Sequence, residues 1–209
     1  MENCFLTNCK KIGIMGGTFN PIHTGHLLMA RWALEYVGLD AILFIPAGNP
    51  YMKNNIDILD GEKRIQMVRI SIEGQEDFFV SDMELNRKGN TYTYETLLEL
   101  NELYPRAKLY FIVGADSLYS FAKWSHPELI LSNSILIAAA RNGTAMEQLE
   151  EKRRELIASF GGEILLMEFP TIDISSTMIR NRVKEGKSIR HLTTDAVCDY
   201  IASQKLYVK

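Results

Sequence analysis

No run of about 18 apolar residues occurs in the sequence, so no membrane-spanning helix is expected. The first residues, MENCFLTNCKK, lack the continuous apolar core of a signal peptide. Cysteine is scarce and odd in number. Cys4, Cys9 and Cys198 make no disulfide framework, which suits a reducing cytoplasm. Cys4 and Cys9 also lack a second Cys/His pair at zinc-finger spacing, so a frayed, solvated start is the better reading of that segment. A basic excess is missing too: 23 Lys and Arg against 26 Asp and Glu give a net charge of −3, where nucleic-acid binders are usually basic. There is no repeat, no low-complexity tract and no Pro/Gly/Ser-rich linker, so residues 1–209 read as one domain.

What is present is ordinary for a globular protein: 46% hydrophobic and 23% charged residues, which argues against disorder. A chain of this length buries roughly 70% of its unfolded surface without staples. Short apolar runs alternate with helical patterns. Strands are expected at Lys11 to Gly16, Ala41 to Pro46, Phe78 to Val80, Lys108 to Val113, Ser134 to Ala140 and Glu163 to Phe169. Between and after them, helices are expected at His26 to Val37, from Asp60, at Tyr94 to Leu103, near Asp116, from Pro127, at Ala145 to Phe160, at Ser176 to Glu185 and at Thr194 to Gln204. Asn49 to Asp60 has little pattern and reads as a mobile surface loop. The alternation predicts an α/β protein: a Rossmann-like, doubly wound parallel sheet with helices on both faces. Ligands of such folds bind beyond the C-terminal ends of the strands, which directs attention to the segments after Met15, Pro46, Val113 and Phe169.

The first segment reads Gly16-Gly17-Thr18-Phe19-Asn20-Pro21-Ile22-His23-Thr24-Gly25-His26. Paired glycines let backbone N–H groups approach a phosphate, and His26 stands at a helix start, where the dipole favours an anion. Gly25 leaves no side chain between the two imidazoles. A turn made by two glycines, or one surface histidine, would be unremarked; the whole constellation after a strand favours phosphate binding. A zinc site at His23 and His26 is the weaker reading, since no third ligand is evident. Ile174-Ser175-Ser176-Thr177-Met178-Ile179-Arg180 is a second strand-to-helix junction. Capping explains one serine, but two serines, a threonine and an arginine together suit a phosphate. In the third segment, Gly114-Ala115-Asp116-Ser117-Leu118, Asp116 has a plain reading as a helix cap, and Trp124, eight residues later, one as core filling.

GGTF followed by His23-x-Gly25-His26 resembles the signature of the nucleotidylyltransferase superfamily, whose [HT]xGH motif holds the triphosphate. The 174–180 segment is similar to the superfamily's ISSTxIR motif, which meets the distal ATP phosphates. Asp116 with Trp124 resembles the GxDsl…W segment of bacterial nicotinate-nucleotide adenylyltransferases, and Gly89 to Leu97 resembles their G-x-S-Y-T-x-x-T-L. The ending from Ile189 to Tyr207 is also similar, so the resemblance spans about residues 11–207. Two positions depart: Asn20 stands for the usual aspartate, and Asn49-Pro50-Tyr51-Met52-Lys53 stands where many members read PPHK.

The resemblance implies transfer of an adenylyl group from ATP to nicotinate mononucleotide. It implies that Gly16, Gly17, Thr18, Phe19, His23 and His26 hold ATP phosphates, and that Ser176, Thr177 and Arg180 hold the leaving pyrophosphate, with His23, His26 and Arg180 acting in catalysis. Tyr92, Thr93, Tyr94, Asp116, Trp124, Ser125 and Lys53 fall to the acceptor. Mg²⁺ is expected with ATP, kept on phosphates and waters, with Asp116 as the protein candidate. Rivals are the same chemistry on nicotinamide mononucleotide or phosphopantetheine, and, from another class, a non-catalytic nucleotide-sensing module. No nucleic acid or membrane partner is expected.

Overall fold

The computed structural model describes residues 5–49, 58–141 and 146–208. Six strands carry the architecture: β1 (Lys11–Gly17), β2 (Ala41–Pro46), β3 (Phe78–Val80), β4 (Lys108–Gly114), β5 (Ile135–Arg141) and β6 (Ile164–Phe169). The helices are α1 (Thr24–Val37), α2 (Gly61–Ser71), α3 (Thr93–Leu103), α4 (Asp116–Phe121), α5 (Pro127–Asn133), α6 (Met146–Phe160), α7 (Ser176–Lys184) and α8 (Asp195–Ser203). Every strand pairing is parallel, in the order β3-β2-β1-β4-β5-β6. The chain therefore builds outward from β1 in one direction, then returns to β1's other side. The switch point lies between β1 and β4, where the connections diverge and leave a crevice.

Both faces of the sheet are covered, and the period-2 pleat sorts the strand residues between two cores. Ile12, Ile14, Leu43, Ile45, Phe111 and Leu136 face one core; Met15, Phe44, Ile112 and Ile137 face the other. This explains why the strands read as continuous apolar runs rather than alternating ones. Among the described residues no helix is long and apolar enough to cross a membrane.

The expected elements are found, with shifts of a residue or two at their ends. Two shifts matter. First, Gly16 and Gly17 are not the turn itself; they are the last residues of β1, paired with Ile45 and Pro46. The chain turns instead at Phe19, whose φ is 48°, and at a cis Asn20–Pro21 bond. Second, α1 begins at Thr24 with His23 as its N-cap, so His26 is the third residue of the first turn. Capping runs as the sequence suggests at α7, where the Ser175 hydroxyl accepts from Met178 N–H, and at α8, where Thr194 accepts from Val197 N–H. Of the surface loop expected between Asn49 and Asp60, residues 50–57 lie outside the described residues.

The segment between β1 and α1 has no ladder partners of its own, yet it is buried, so its carbonyls require donors. Residues distant in sequence supply them. Arg64, with 2% of its surface exposed, donates to Thr18 O at 2.9 Å, and also to Leu59 O and Gly48 O. Arg180 donates to Asn20 O at 2.9 Å, Ser176 to Pro21 O at 2.8 Å and Thr193 to Ile22 O at 2.9 Å. Tyr207 donates to Asn20 Oδ1 at 2.8 Å. Burial raises the Tyr207 hydroxyl well above an ordinary phenol, so it stays a donor at neutral pH. Tyr207→Phe leaves Asn20 Oδ1 short of this donor and is expected to lower stability by about 1–2 kcal/mol. Urea unfolding of the two proteins checks this; an unchanged midpoint would show that the bond contributes nothing.

Candidate active site

The C-terminal ends of β1 and β4 open onto two cavities. One, of about 320 Å³, lies on the α3 side and is lined by Gly16, Gly17, Thr18, Thr93, Thr96 and Trp124, among others. The other, of about 370 Å³, holds His23, Gly25, His26, Gly114, Ser117 and Ser175. Gly16, Phe111 and Trp124 line both, so the two cavities meet over the end of β1.

The two histidine rings are stacked, with centroids 3.7 Å apart and 27° between their planes. Gly25 permits this closeness: a Cβ there would sit 3.1 Å from His23 Nδ1, tight against the ring. His23 N–H donates to His26 Nδ1 at 3.2 Å. An accepting Nδ1 places the proton of the neutral His26 ring on Nε2. Phe19 meets the His26 ring edge-on at 5.1 Å, and its own side chain is buried, so only its backbone is free to face a ligand. His23 is 8% exposed, and its Nδ1 is buried with no hydrogen-bond partner among the described residues. Burial lowers its pKa to about 4, so the ring is neutral at pH 7. A buried polar atom left without a partner is uncommon.

The other expected residues divide. Thr93 and Trp124 line the first cavity. Trp124 is half-buried, edge-on to Phe111 at 6.1 Å and tilted against Phe121 at 5.5 Å, and donates from Nε1 to Ser120 Oγ at 3.4 Å, so it is both core and cavity wall. Tyr92 caps α3; Tyr94 packs edge-on against His126 at 4.7 Å, and neither lines a cavity wall. Ser125 is half-buried beside Trp124. Asp116 is exposed as the first residue of α4; the capping position is Ala115, so capping does not account for it. Ser176 gives its hydroxyl proton to Pro21 O, and Arg180 donates to Asn20 O and to Thr177 Oγ1. These two residues hold the histidine turn in place; Thr177 itself is exposed. Lys53 lies outside the described residues. Sequence reasoning missed Arg64, Glu84, Thr91, Thr96 and Phe111. For Arg64 a signal existed: it sits next to Ile65 on a helix whose Met67 and Val68 are also buried.

The cytidylyltransferase-like family model matches residues 14–182. A protein of Lachnoclostridium phytofermentans named "Probable nicotinate-nucleotide adenylyltransferase" is 43% identical over 199 residues, covering 95% of this chain and 100% of its own. One of Desulfitobacterium hafniense with the same name is 44% identical, covering 95% of this chain and 96% of its own. The chain belongs to the nicotinate-nucleotide adenylyltransferase family. The fold of that family is also found in the Plasmodium falciparum nicotinic acid mononucleotide adenylyltransferase complexed with APC. The two share a TM-score of 0.75 at 22% identity, over 95% of this chain and 97% of that one. A second structure of the parasite protein is complexed with NaAD. Asn20, where this chain departs from the aspartate that the resemblance leads one to expect, is an acceptor for Tyr207 and, at 3.4 Å, for Leu59 N–H. Both are donors to a side-chain oxygen, which an amide supplies as well as a carboxylate does.

The His23 environment gives a pH signature. Its folded pKa, about 4, lies below the ordinary 6.5, so the unfolded chain binds the proton more readily. Its contribution to stability is therefore full above pH 6.5 and is lost as pH falls from 6.5 towards 4, by roughly 3 kcal/mol in total. His23→Gln removes the titration. Denaturant unfolding of ligand-free wild type and variant should run parallel from pH 8 to about 6.5, and the wild type should lose more below that. Parallel curves down to pH 4.5 would show that the ring is not desolvated.

Proposed function

We propose that the protein transfers the adenylyl group of ATP to nicotinate mononucleotide, giving nicotinate adenine dinucleotide and pyrophosphate, a step of NAD biosynthesis. The observation that carries this reading is the pair of cavities meeting at Gly16, Phe111 and Trp124, with both histidines on one side. A two-substrate transfer needs two chambers that join where the phosphorus reacts. ATP takes the histidine chamber. The acceptor takes the chamber lined by Thr93 and Trp124.

The acceptor's phosphate oxygen attacks the α-phosphorus in line. The new P–O bond forms as the bond to the α,β-bridging oxygen breaks, and that oxygen leaves with pyrophosphate carrying the electron pair. No covalent enzyme intermediate is needed; catalysis is positioning and charge stabilisation. His26 donates from Nε2 to the oxygens that gain charge. His23 lines the same chamber stacked on His26, and the charge of the triphosphate offsets the desolvation that otherwise keeps its ring neutral. The N–H groups of Gly16 to Phe19, with Thr18, hold phosphate oxygens. At the start of α7, backbone N–H groups, the exposed Thr177 hydroxyl and the N–H groups of Arg180 left over from Asn20 hold the leaving pyrophosphate. Lys53, outside the described residues, is kept by resemblance as a contact of the acceptor.

Among the described residues no three His, Cys, Asp or Glu side chains converge as a metal cage. A Mg²⁺ ion would be held by the triphosphate and water, with Asp116, between the cavity-lining Gly114 and Ser117, as the candidate protein carboxylate. When bound, the ion draws charge from the phosphate oxygens. In the acceptor chamber, Trp124 offers a flat face to the pyridine ring. The first turn of α3, which opens with Tyr92, Thr93 and Tyr94, and the backbone at Ser125 offer N–H groups to the ring carboxylate. A carboxamide would set its NH₂ against those donors. The whole chain works as one domain, and the free, buried Cys9 and Cys198 fit the cytoplasm.

A pyrophosphate-release assay with ATP and Mg²⁺ tests this against nicotinate mononucleotide, nicotinamide mononucleotide and phosphopantetheine in turn. The first should win over the second on the order of 10²-fold in kcat/KM. Equal use of both would overturn the acceptor assignment, and ATP binding without release with any acceptor would favour a nucleotide sensor. His26→Ala should lower kcat on the order of 10²–10³-fold in a folded protein. Near-normal turnover in that variant would remove His26 from the reaction.

A further inference from the structure

Glu84 is a buried carboxylate that the reaction as described does not use. It is 9% exposed, and it is the one ionisable side chain lining the acceptor cavity among the described residues. Its Oε1 accepts from the Thr96 hydroxyl at 2.7 Å, and Thr96 accepts in turn from Arg87 Nη1 at 3.1 Å. Arg87 itself pairs with Glu99 at 2.6 Å and Glu95 at 3.7 Å, so its charge is directed away from Glu84. Arg64 lies near enough to feel Glu84, but its guanidinium is occupied by the carbonyls of Thr18, Gly48 and Leu59 and does not line this cavity. Glu84 Oε2 has no hydrogen-bond partner among the described residues.

The backbone fixes this placement. A Cβ on Gly48 would lie 2.1 Å from Glu84 O, so the strand-end loop after β2 and the segment carrying Glu84 are in direct contact. No side chain larger than hydrogen fits between them. The remaining walls are apolar or hydroxylic: Ile14, Ile45, Leu97, Phe111, Thr91 and Trp124. A negative charge in a weakly polar cavity with an aromatic face selects a cation, as it does for other flat cationic ligands. A pyridine mononucleotide carries such a charge on its ring nitrogen, which is quaternised by the ribose.

We propose that Glu84 is the counter-charge for the acceptor's pyridinium ring and so a specificity-determining residue of the acceptor cavity. This rests on the adenylyl transfer to nicotinate mononucleotide proposed above. It orders the ring in the chamber: the cationic nitrogen turns towards Glu84, and the ring carboxylate towards the first turn of α3. It also makes the enzyme a reader of redox state, because the dihydropyridine form of the same nucleotide has a neutral ring.

The test compares oxidised and dihydro nicotinate mononucleotide as acceptors for wild type, Glu84→Gln and Glu84→Asp. Gln keeps the volume and an oxygen for Thr96 but removes the charge. Wild type should favour the oxidised acceptor on the order of tenfold in KM, with the ATP KM equal in both reactions. Glu84→Gln should narrow that preference to about twofold by raising the KM of the oxidised acceptor alone, and Glu84→Asp should restore part of it. Wild type using both ring forms equally would overturn the proposal, as would a folded Glu84→Gln that keeps the full preference or loses ATP affinity instead. If Glu84→Gln fails to fold by its melting curve, the wild-type comparison and Glu84→Asp decide the matter. A wild type inactive with the oxidised acceptor would instead refute the parent reaction, so the two failures are distinct.

Discussion

The buried carbonyls between β1 and α1 are the constraint on which the site depends. A turn that leaves a parallel strand, reverses at a positive φ and enters a helix cannot bond to itself, and here it is too deep for water to serve it. Arg64, Arg180, Ser176, Thr193 and Tyr207 each give it a hydrogen bond. With those bonds made, His23 and His26 are held in a stacked pair. The position of both histidines is set by residues that hold the backbone between β1 and α1.

That division alters how the second motif is understood. From its sequence, Ser-Ser-Thr…Arg is a phosphate-binding helix start. In the fold, Ser175 caps α7, Ser176 and Arg180 brace the histidine turn, and the exposed N–H groups and Thr177 remain for a ligand. One short segment thus caps its own helix and braces a turn 155 to 160 residues away. A variant at Arg180 cannot be interpreted as the loss of a phosphate contact alone, since it also removes a donor from Asn20 O.

Much of this was legible in the sequence, for physical reasons. Continuous apolar runs between helical periods dictate a parallel sheet covered on both faces, and the glycines at the end of β1 mark the switch point. His23 and His26 were legible because glycine between them makes a close pair, and a pair after a strand has few structural uses. Other features were hidden. That Gly16 and Gly17 finish the strand while Phe19 makes the turn depends on pairing to β2, which local sequence does not carry. Tyr92 and Tyr94 look like pocket residues in line with Thr93, but a helix start sends consecutive side chains in different directions, and only Thr93 reaches the cavity. Glu84 and Thr96 are twelve residues apart and meet only through the fold.

The hydrogen bonds that brace the histidine turn also set an order of assembly. Ser176, Arg180 and Tyr207 reach back across 155, 160 and 187 positions to Pro21 and Asn20. On the ribosome, the strands β1 to β5 can be made and paired while the turn after β1 still lacks these donors. Contacts of such separation close late because the intervening chain must first be ordered. The histidine turn, encoded among the earliest residues, thus acquires its final shape only when the C-terminal helices dock. A nascent or truncated chain would carry both histidines and still lack the finished turn that holds them together, which couples the geometry of the pair to completion of the fold.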